Sequence, residues 1–353
     1  MRILYGVVGE GMGHATRSKV VIEHLVEYGH KVKIVVSGRA FQFLKKHFPD
    51  VVEIRGLTIK YAKGAMDRDA SLLRNALMSP AMLFQNAASY IDDVRHFDPK
   101  IVFSDFDSYA YFFAKRFKLP IVSVDNQQII HKCKHEDVIT KGVETDYRAT
   151  RAFVKAKLPG CDHYIVTSFF TPPIRAKFRE VVTIVPPILR TEILEAKATR
   201  GEHVLVYQTS TSDKTLISGL NKLPKQKFIV YGLRRDAVQG NCAIRNFSEQ
   251  AFADDLASAK AVVTNAGLSL IHEAIYLQKP IFSVPVQHQF EQEMNARYLE
   301  EYGYGLAAAR LDHEVLGAFL NQESRYVRAL KHHQQKGNDV LFRKVDRLLA
   351  DLT

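Results

Sequence analysis

The stretch RILYGVVGEGMGHATRSKVVIEHLVEYGHKVKIVVSG, Arg2–Gly38, decides the fold. Arg2–Val8 is a short, mostly apolar run of the kind found in buried parallel strands. A glycine-rich loop, Gly9-Glu10-Gly11-Met12-Gly13-His14, follows it. Helical spacing begins near Thr16 and carries Val20, Val21, His24 and Leu25 until Gly29 stops it. Lys31–Val36 is a second strand. Strand, helix and strand in this order make a βαβ unit, which implies a parallel sheet.

The alternation continues. Strands are expected at VVEIRGL, at Lys100–Phe106, Leu119–Val124, His163–Phe169 and Val182–Ile188, with a long helical stretch over Ala65–Val94. Pro186-Pro187 gives a stiff entry to a linker around Thr191–Gly201. The pattern then restarts with strands at His203–Ser210, Lys227–Gly232, CAIRNF, AKAVVTNAG and KPIFSVP. Helices are expected at Ser212–Leu220, Glu249–Ser258 and Ser269–Leu277, and again over Val315–Leu352. The expected fold class is α/β, with two Rossmann-like domains facing each other across a cleft. Residues 1–195 form the first, 196–335 the second, and 336–353 a C-terminal helix returning to the first.

Composition fits two soluble domains. The 353 residues are 46% apolar and 25% charged, and exceed the size at which a single core usually stops growing, roughly 250–300 residues. Residues 1–200 hold 31 basic and 21 acidic side chains, while residues 201–353 hold 18 and 17. The first half is therefore the one suited to an anionic partner. Three scattered cysteines give no disulfide framework, so a cytoplasmic location is expected. No run reaches the ~18–20 apolar residues of a membrane span, and the N-terminus lacks the form of a signal peptide.

Open parallel sheets bind ligands at the carboxyl ends of their strands. The first such loop departs from a dinucleotide fingerprint: His14 takes its sixth position, and no acidic residue ends the second strand. Arg39 there suits a 2′-phosphate instead. The glycines permit close backbone approach, and His14 projects at the cleft mouth as a general base must. The plain alternative is a tight βα turn with a solvated histidine.

The second informative segment is Val262–Ala296. A strand ends at Asn265-Ala266-Gly267, and a helix capped near Ser269 offers free N–H groups to a diphosphate. Glu273, one turn on, can accept both hydroxyls of a ribose. Gln287-His288-Gln289-Phe290-Glu291-Gln292 then crowds amides and carboxylates at a strand end, which suits a polyhydroxylated ligand.

These segments together resemble the GT-B fold glycosyltransferases that use nucleotide sugars. The nearest likeness is to the N-acetylglucosamine transferase of peptidoglycan lipid precursor synthesis, its glycolipid-synthase relatives and the prokaryotic teichoic-acid or cell-surface transferases. Those enzymes share a glycine-rich loop ending in His, here GEGMGH, and a segment shaped like TNAG-SL-HEA-LQKP-P-QH-Q-NA. The resemblance implies that Gly13, Asn265, Gly267, Ser269 and Leu270 surround the donor diphosphate, and that Glu273 binds the ribose. It implies that Thr209, Ser210 and Thr211 form a second phosphate loop, that Phe247 lies against the base, and that Gln289, Glu291 and Gln292 hold the sugar. His14 becomes the base or an acceptor-positioning group, and Asp105 or Asp107 in FSDFD its orienting partner. GEGMGH replaces the GGTGGH form and brings in Glu10 as a further catalytic candidate.

The implied reaction is metal-independent inverting transfer from a nucleotide sugar, UDP-linked by resemblance, to a hydroxyl acceptor. No cofactor is expected, and no DxD-type pair demands a metal. A lipid-linked or cell-surface glycan acceptor at the inner membrane face fits the basic half; a soluble small-molecule acceptor is the variant reading. A non-hydrolysing nucleotide-sugar epimerase of the same fold is the alternative, with Glu10 and Glu291 as its acidic residues. A nucleic-acid partner is not expected, since no basic stripe with stacking aromatics occurs.

Three other features carry bland readings beside sharper ones. His131-x-Cys133-x-His135 has metal-ligand residue types, but Lys132 and Lys134 repel a cation, and an acceptor-side loop is the better reading. Gln127-Gln128 lines the acceptor cleft. Ala65–Val94 is apolar and basic enough to meet a membrane, or packs its apolar face inward. Arg234-Arg235 either flanks the nucleotide or is solvated.

Overall fold

β1 (Arg2–Val7) is buried beyond its first residue, as a strand covered on both faces must be. The computed structural model describes residues 1–9, 12–54, 60–62, 65–67, 91–208, 213–333 and 337–352. β1 pairs in parallel with β2 (Lys31–Ser37), which pairs with β3 (Val51–Ile54). On its other edge β1 meets β6 (Ile101–Asp105), followed outward by β7 (Ile121–Asp125), β8 (His163–Thr167) and β9 (Val182–Val185). The chain builds away from β1 on one side and then crosses to the other. That reversal leaves a crevice between the carboxyl ends of β1 and β6.

The second sheet repeats the plan. β10 (His203–Tyr207) pairs with β11 (Lys227–Tyr231) and, on its other edge, with β14 (Ala261–Thr264). β13 (Cys242–Ile244) extends one side, β15 (Ile281–Ser283) and β16 (Gly305–Ala307) the other. An antiparallel strand, β12 (Ala237–Gln239), closes one edge. β12 and β16 are only three residues each, too short to show periodicity in the sequence.

Ala65–Asp67 does not begin a helix. It is a strand, β5, pairing antiparallel with β4 (Lys60–Ala62). Residues 91–97 are helical, while residues 68–90 of the membrane-facing candidate lie outside the described residues. No described helix is long and apolar enough to cross a membrane.

A hydrophobic cluster on one face of the first sheet joins Ile3, Tyr5, Val21 and Phe103 to Leu341, Val345, Leu348 and Leu349. The last four belong to the helix Asp339–Asp351, so the chain's end packs on its first sheet. The two crossings between domains are tied together: Asn338 Oδ1 accepts from the Leu189 N–H at 2.9 Å, and its Nδ2 donates to the Leu189 carbonyl at 2.6 Å. Elsewhere the domains meet through the helix Phe290–Glu301. Tyr298 stacks on Phe170 at 3.8 Å between centroids, and Arg297 Nη1 donates to the carbonyls of Val138, Ile139 and Lys141.

Candidate active site

The loop after β1 is shaped by crowding. A Cβ on Gly9 would stand 1.9 Å from the Ser37 carbonyl oxygen, so only glycine lets β1 and β2 turn so closely. The helix Met12–Glu27 starts at once, and places His14 above the β1/β6 crevice.

Asp105 ends β6, paired in register with Val7. Its fully buried carboxylate accepts from His14 Nδ1 at 2.7 Å, Arg17 Nε at 2.7 Å and Ser18 Oγ at 2.9 Å. Arg17 Nη2 completes a side-on fork to the same carboxylate and lies 2.6 Å from His14 Nδ1. Burial alone would raise the Asp105 pKa, but the Arg17 charge, then His14 and their hydrogen bonds, outweigh it and bring it down to about 2. Asp105 is thus a fixed anion behind the imidazole. Gln127 Nε2 stands 3.2 Å from His14 Nε2 on the opposite edge. A base at Nε2 requires the tautomer that carries its proton on Nδ1, donated to Asp105, and accepts from Gln127 at Nε2.

Of the two aspartates in FSDFD, Asp105 meets His14. Asp107 instead caps the helix Ser108–Phe117, accepting the Ala110 N–H at 2.8 Å. The local reason is alternation: Asp105 lies in the strand, while Asp107 has extended backbone just before a helix, where a carboxylate satisfies a free N–H. Burial, opposed by that N–H, raises the Asp107 pKa.

The second sheet brings its own helix terminus to the same place. Ala266 at φ 61° turns the chain sharply, so the helix begins at Leu268 with Gly267 as its N-cap, and Ser269 is its second residue rather than its cap. Asn265 Nδ2 donates to the Val284 carbonyl at 3.0 Å, which pins the turn. A Cβ on Gly13 would come within 2.6 Å of Ser269 Oγ, whereas one on Gly267 would meet nothing within 4 Å. Two helix N-termini, one from each domain, therefore converge beside His14. Their unpaired N–H groups and dipoles favour an anion between them. Leu270 is buried behind this turn.

Glu273 is not an open carboxylate. Arg190, from the segment joining the domains, donates Nε to Oε1 at 2.7 Å and Nη2 to Oε2 at 3.1 Å, and both side chains are at least nine-tenths buried. A carboxylate has about four acceptor sites, so this fork leaves capacity for a ribose while fixing the orientation. Glu291 Oε1 accepts from Asn126 Nδ2 at 2.7 Å, across the domain boundary. Gln292 turns back on its own loop: its Oε1 accepts from the Val286 N–H at 2.9 Å. Gln289 Oε1 is buried without a hydrogen-bond partner among the described residues. Phe247 is 47% exposed, its ring 5.4 Å from that of Phe252. Glu10, Thr209, Ser210 and Thr211 lie outside the described residues.

His131, Cys133 and His135 do not converge. Cys133 forms a lone bridge with Ile174, His131 packs on Phe178, and His135 contacts Tyr298 Oη and the Ile129 carbonyl. Among the described residues no three His, Cys, Asp or Glu side chains gather as a metal cage. Arg17, Asn126 and Arg190 are the site residues that sequence reasoning missed. Arg17 had a signal, since it lies three residues after His14 on one helix face. Asn126 directly follows a strand end. Arg190 had none.

Similar proteins bear on the fold and the family. An uncharacterised glycosyltransferase of Methanosarcina acetivorans is 24% identical over 330 residues, covering 86% of this chain and 85% of that protein. One from Methanosarcina mazei is 23% identical over 335 residues, with the same coverage. Among solved structures, the spinosyn forosaminyltransferase superposes with a TM-score of 0.67 at 12% identity, covering 99% of both chains. The calicheamicin glycosyltransferase CalG4 gives 0.65 at 15% identity, over 99% of this chain and 98% of its own. Both are GT-B enzymes, and the two facing sheets here have that fold. Residues 1–323 match the profile of Glycosyl transferase family 1, and the chain belongs to that family of sugar-transferring enzymes.

Proposed function

We propose that the enzyme moves a sugar, with inversion and without a divalent cation, from a nucleoside diphosphate sugar to an acceptor hydroxyl. The observation that carries this is the His14–Asp105 pair at the β1/β6 crevice, directly beside the helix terminus at Gly267. Nε2 of His14 takes the acceptor proton as the oxygen attacks the anomeric carbon. The resulting imidazolium keeps its Nδ1–H on Asp105. The sugar–phosphate bond breaks on the opposite face, and the departing diphosphate is stabilised by the N–H groups of the Leu268–Tyr276 helix. Asp105 and Asp107 spell a D-x-D pair, yet their carboxylates go to separate protein partners. That supports a step run on helix dipoles.

Resemblance to the transferase of peptidoglycan lipid precursor synthesis supports a uridine donor. The basic first half supports an anionic acceptor, a lipid-linked or cell-surface glycan precursor at the inner membrane face. The test is a panel of UDP-, dTDP- and GDP-sugars by thermal shift, followed by NMR of the anomeric configuration in the product. A UDP-sugar is expected to stabilise the protein most. His14→Ala should keep donor binding and lower turnover by about 10²–10⁴-fold, the usual contribution of a general base. Stabilisation by none of the panel, or transfer by His14→Ala at the wild-type rate, overturns the proposal.

A further inference from the structure

Arg17 does more than neutralise Asp105. While Nε and Nη2 hold that carboxylate, Nη1 donates to Asn126 Oδ1. A guanidinium has donors and no acceptor, so the Asn126 oxygen must face it and the amide nitrogen must face away. Asn126 is 3% exposed at the carboxyl end of β7, with no room to turn its amide toward solvent. Its Nδ2 therefore points across the domain boundary, where it donates to Glu291 Oε1 in the first turn of the Phe290–Glu301 helix.

The polarity runs one way, from the Arg17 cation through the Asn126 amide to the Glu291 carboxylate. Among the described residues no hydrogen bond reaches Glu291 Oε2. Burial opposes the Arg17 charge, but Asp105, then Asp125 and Glu291, sustain it, so the cation's field extends to Glu291. We propose that Arg17 and Asn126 are positioning residues that fix Glu291 from the opposite domain, so that its remaining oxygen receives a donor-sugar hydroxyl. This deepens the transfer reading and rests on it. The base and the sugar-holding carboxylate are then aligned by one guanidinium, and the sugar is gripped correctly only when both domains meet.

The experiment uses the full chain with UDP, UDP-glucose and UDP-N-acetylglucosamine, and dissociation constants from calorimetry. Asn126→Ala is expected to bind UDP within twofold of wild type, and to bind the preferred UDP-sugar about tenfold more weakly, the equivalent of one charge-assisted hydrogen bond. Asn126→Asp should be worse, because it sets two carboxylates against each other. Adding Glu291→Gln to Asn126→Asp should recover part of the loss, since the new amide can donate to the new carboxylate. Equal weakening of UDP and UDP-sugar by Asn126→Ala, no weakening at all, or no recovery in the double variant overturns the positioning role. Wild-type protein stabilised by none of the UDP-, dTDP- and GDP-sugars overturns the transfer reading instead, and this inference with it.

Discussion

Arg190 and Glu273 show how a single buried pair constrains what a residue can be asked to do. Glu273 is the ribose candidate from the sequence, yet its orientation depends on a guanidinium 83 residues away. Removing one partner of such a pair leaves a charge buried and unmatched, at a cost of about 3–5 kcal/mol. Arg190→Met should therefore lower the urea-unfolding free energy by roughly that amount, and Glu273→Gln added to it should restore part of the loss. A single variant within about 1 kcal/mol of wild type would show that the pair matters little. At this scale the sequence was half legible. His14 was readable because a glycine-rich loop must present its next side chain at a strand end. Arg17 and Asn126 left only faint traces, a helix-face spacing and a strand end, and Arg190 left none, because each acts through a partner brought close only by the tertiary fold.

Among elements, the two converging helix ends are the decisive pair, and they tolerate change differently. Gly267 has φ −66° and empty space where a Cβ would go, so Gly267→Ala should cost only about 1 kcal/mol at an N-cap. The added methyl nonetheless stands where a diphosphate would approach the backbone. Nucleotide affinity should fall about tenfold or more while the melting temperature shifts by a few degrees, read by calorimetry and thermal denaturation. Unchanged nucleotide affinity would move the diphosphate elsewhere. Gly13→Ala should instead wedge the two helices apart against Ser269. The βαβ alternation and the β14 turn were legible, since apolar strands and glycine turns are local signals. The helix starts one residue earlier than expected, with Gly267 and not Ser269 as its cap, because the positive φ at Ala266 is not a property that alanine announces.

The whole molecule carries several histidines it cannot easily protonate. Burial, with neighbouring cations, lowers the pKa of His131 to about 4 and of His272 to about 3. Burial likewise lowers His135 and His163 to about 4. The unfolded chain takes up these protons near pH 6.5 and the folded one does not, so their stabilising contribution is complete above 6.5 and is lost as pH falls toward 4. Asp125, raised to about 6 by its burial, works in the opposite direction over part of the range, as do Asp107 and Glu23, which burial also raises. His30 and His333 are lowered by burial too, so the histidines outnumber the raised carboxylates, and the urea midpoint should drop from pH 7 to 5.5 to 4.5. A flat or rising midpoint would contradict this. The two-sheet architecture was legible from the restarted strand pattern; the antiparallel edge and the β4–β5 ribbon were not, being too short to leave a periodic trace.

The helix Asp339–Asp351, which completes the first sheet's hydrophobic cover, also sets an order of birth. Leu341 is made after the entire second sheet, about 150 residues later than Arg190. At roughly 5–20 residues per second, the wait runs to about ten seconds or more. Throughout that interval the nascent first domain exposes the apolar groove that Leu341, Val345, Leu348 and Leu349 will fill. The helix Asp339–Asp351 thus lets the first sheet's domain be finished only after the second sheet is made.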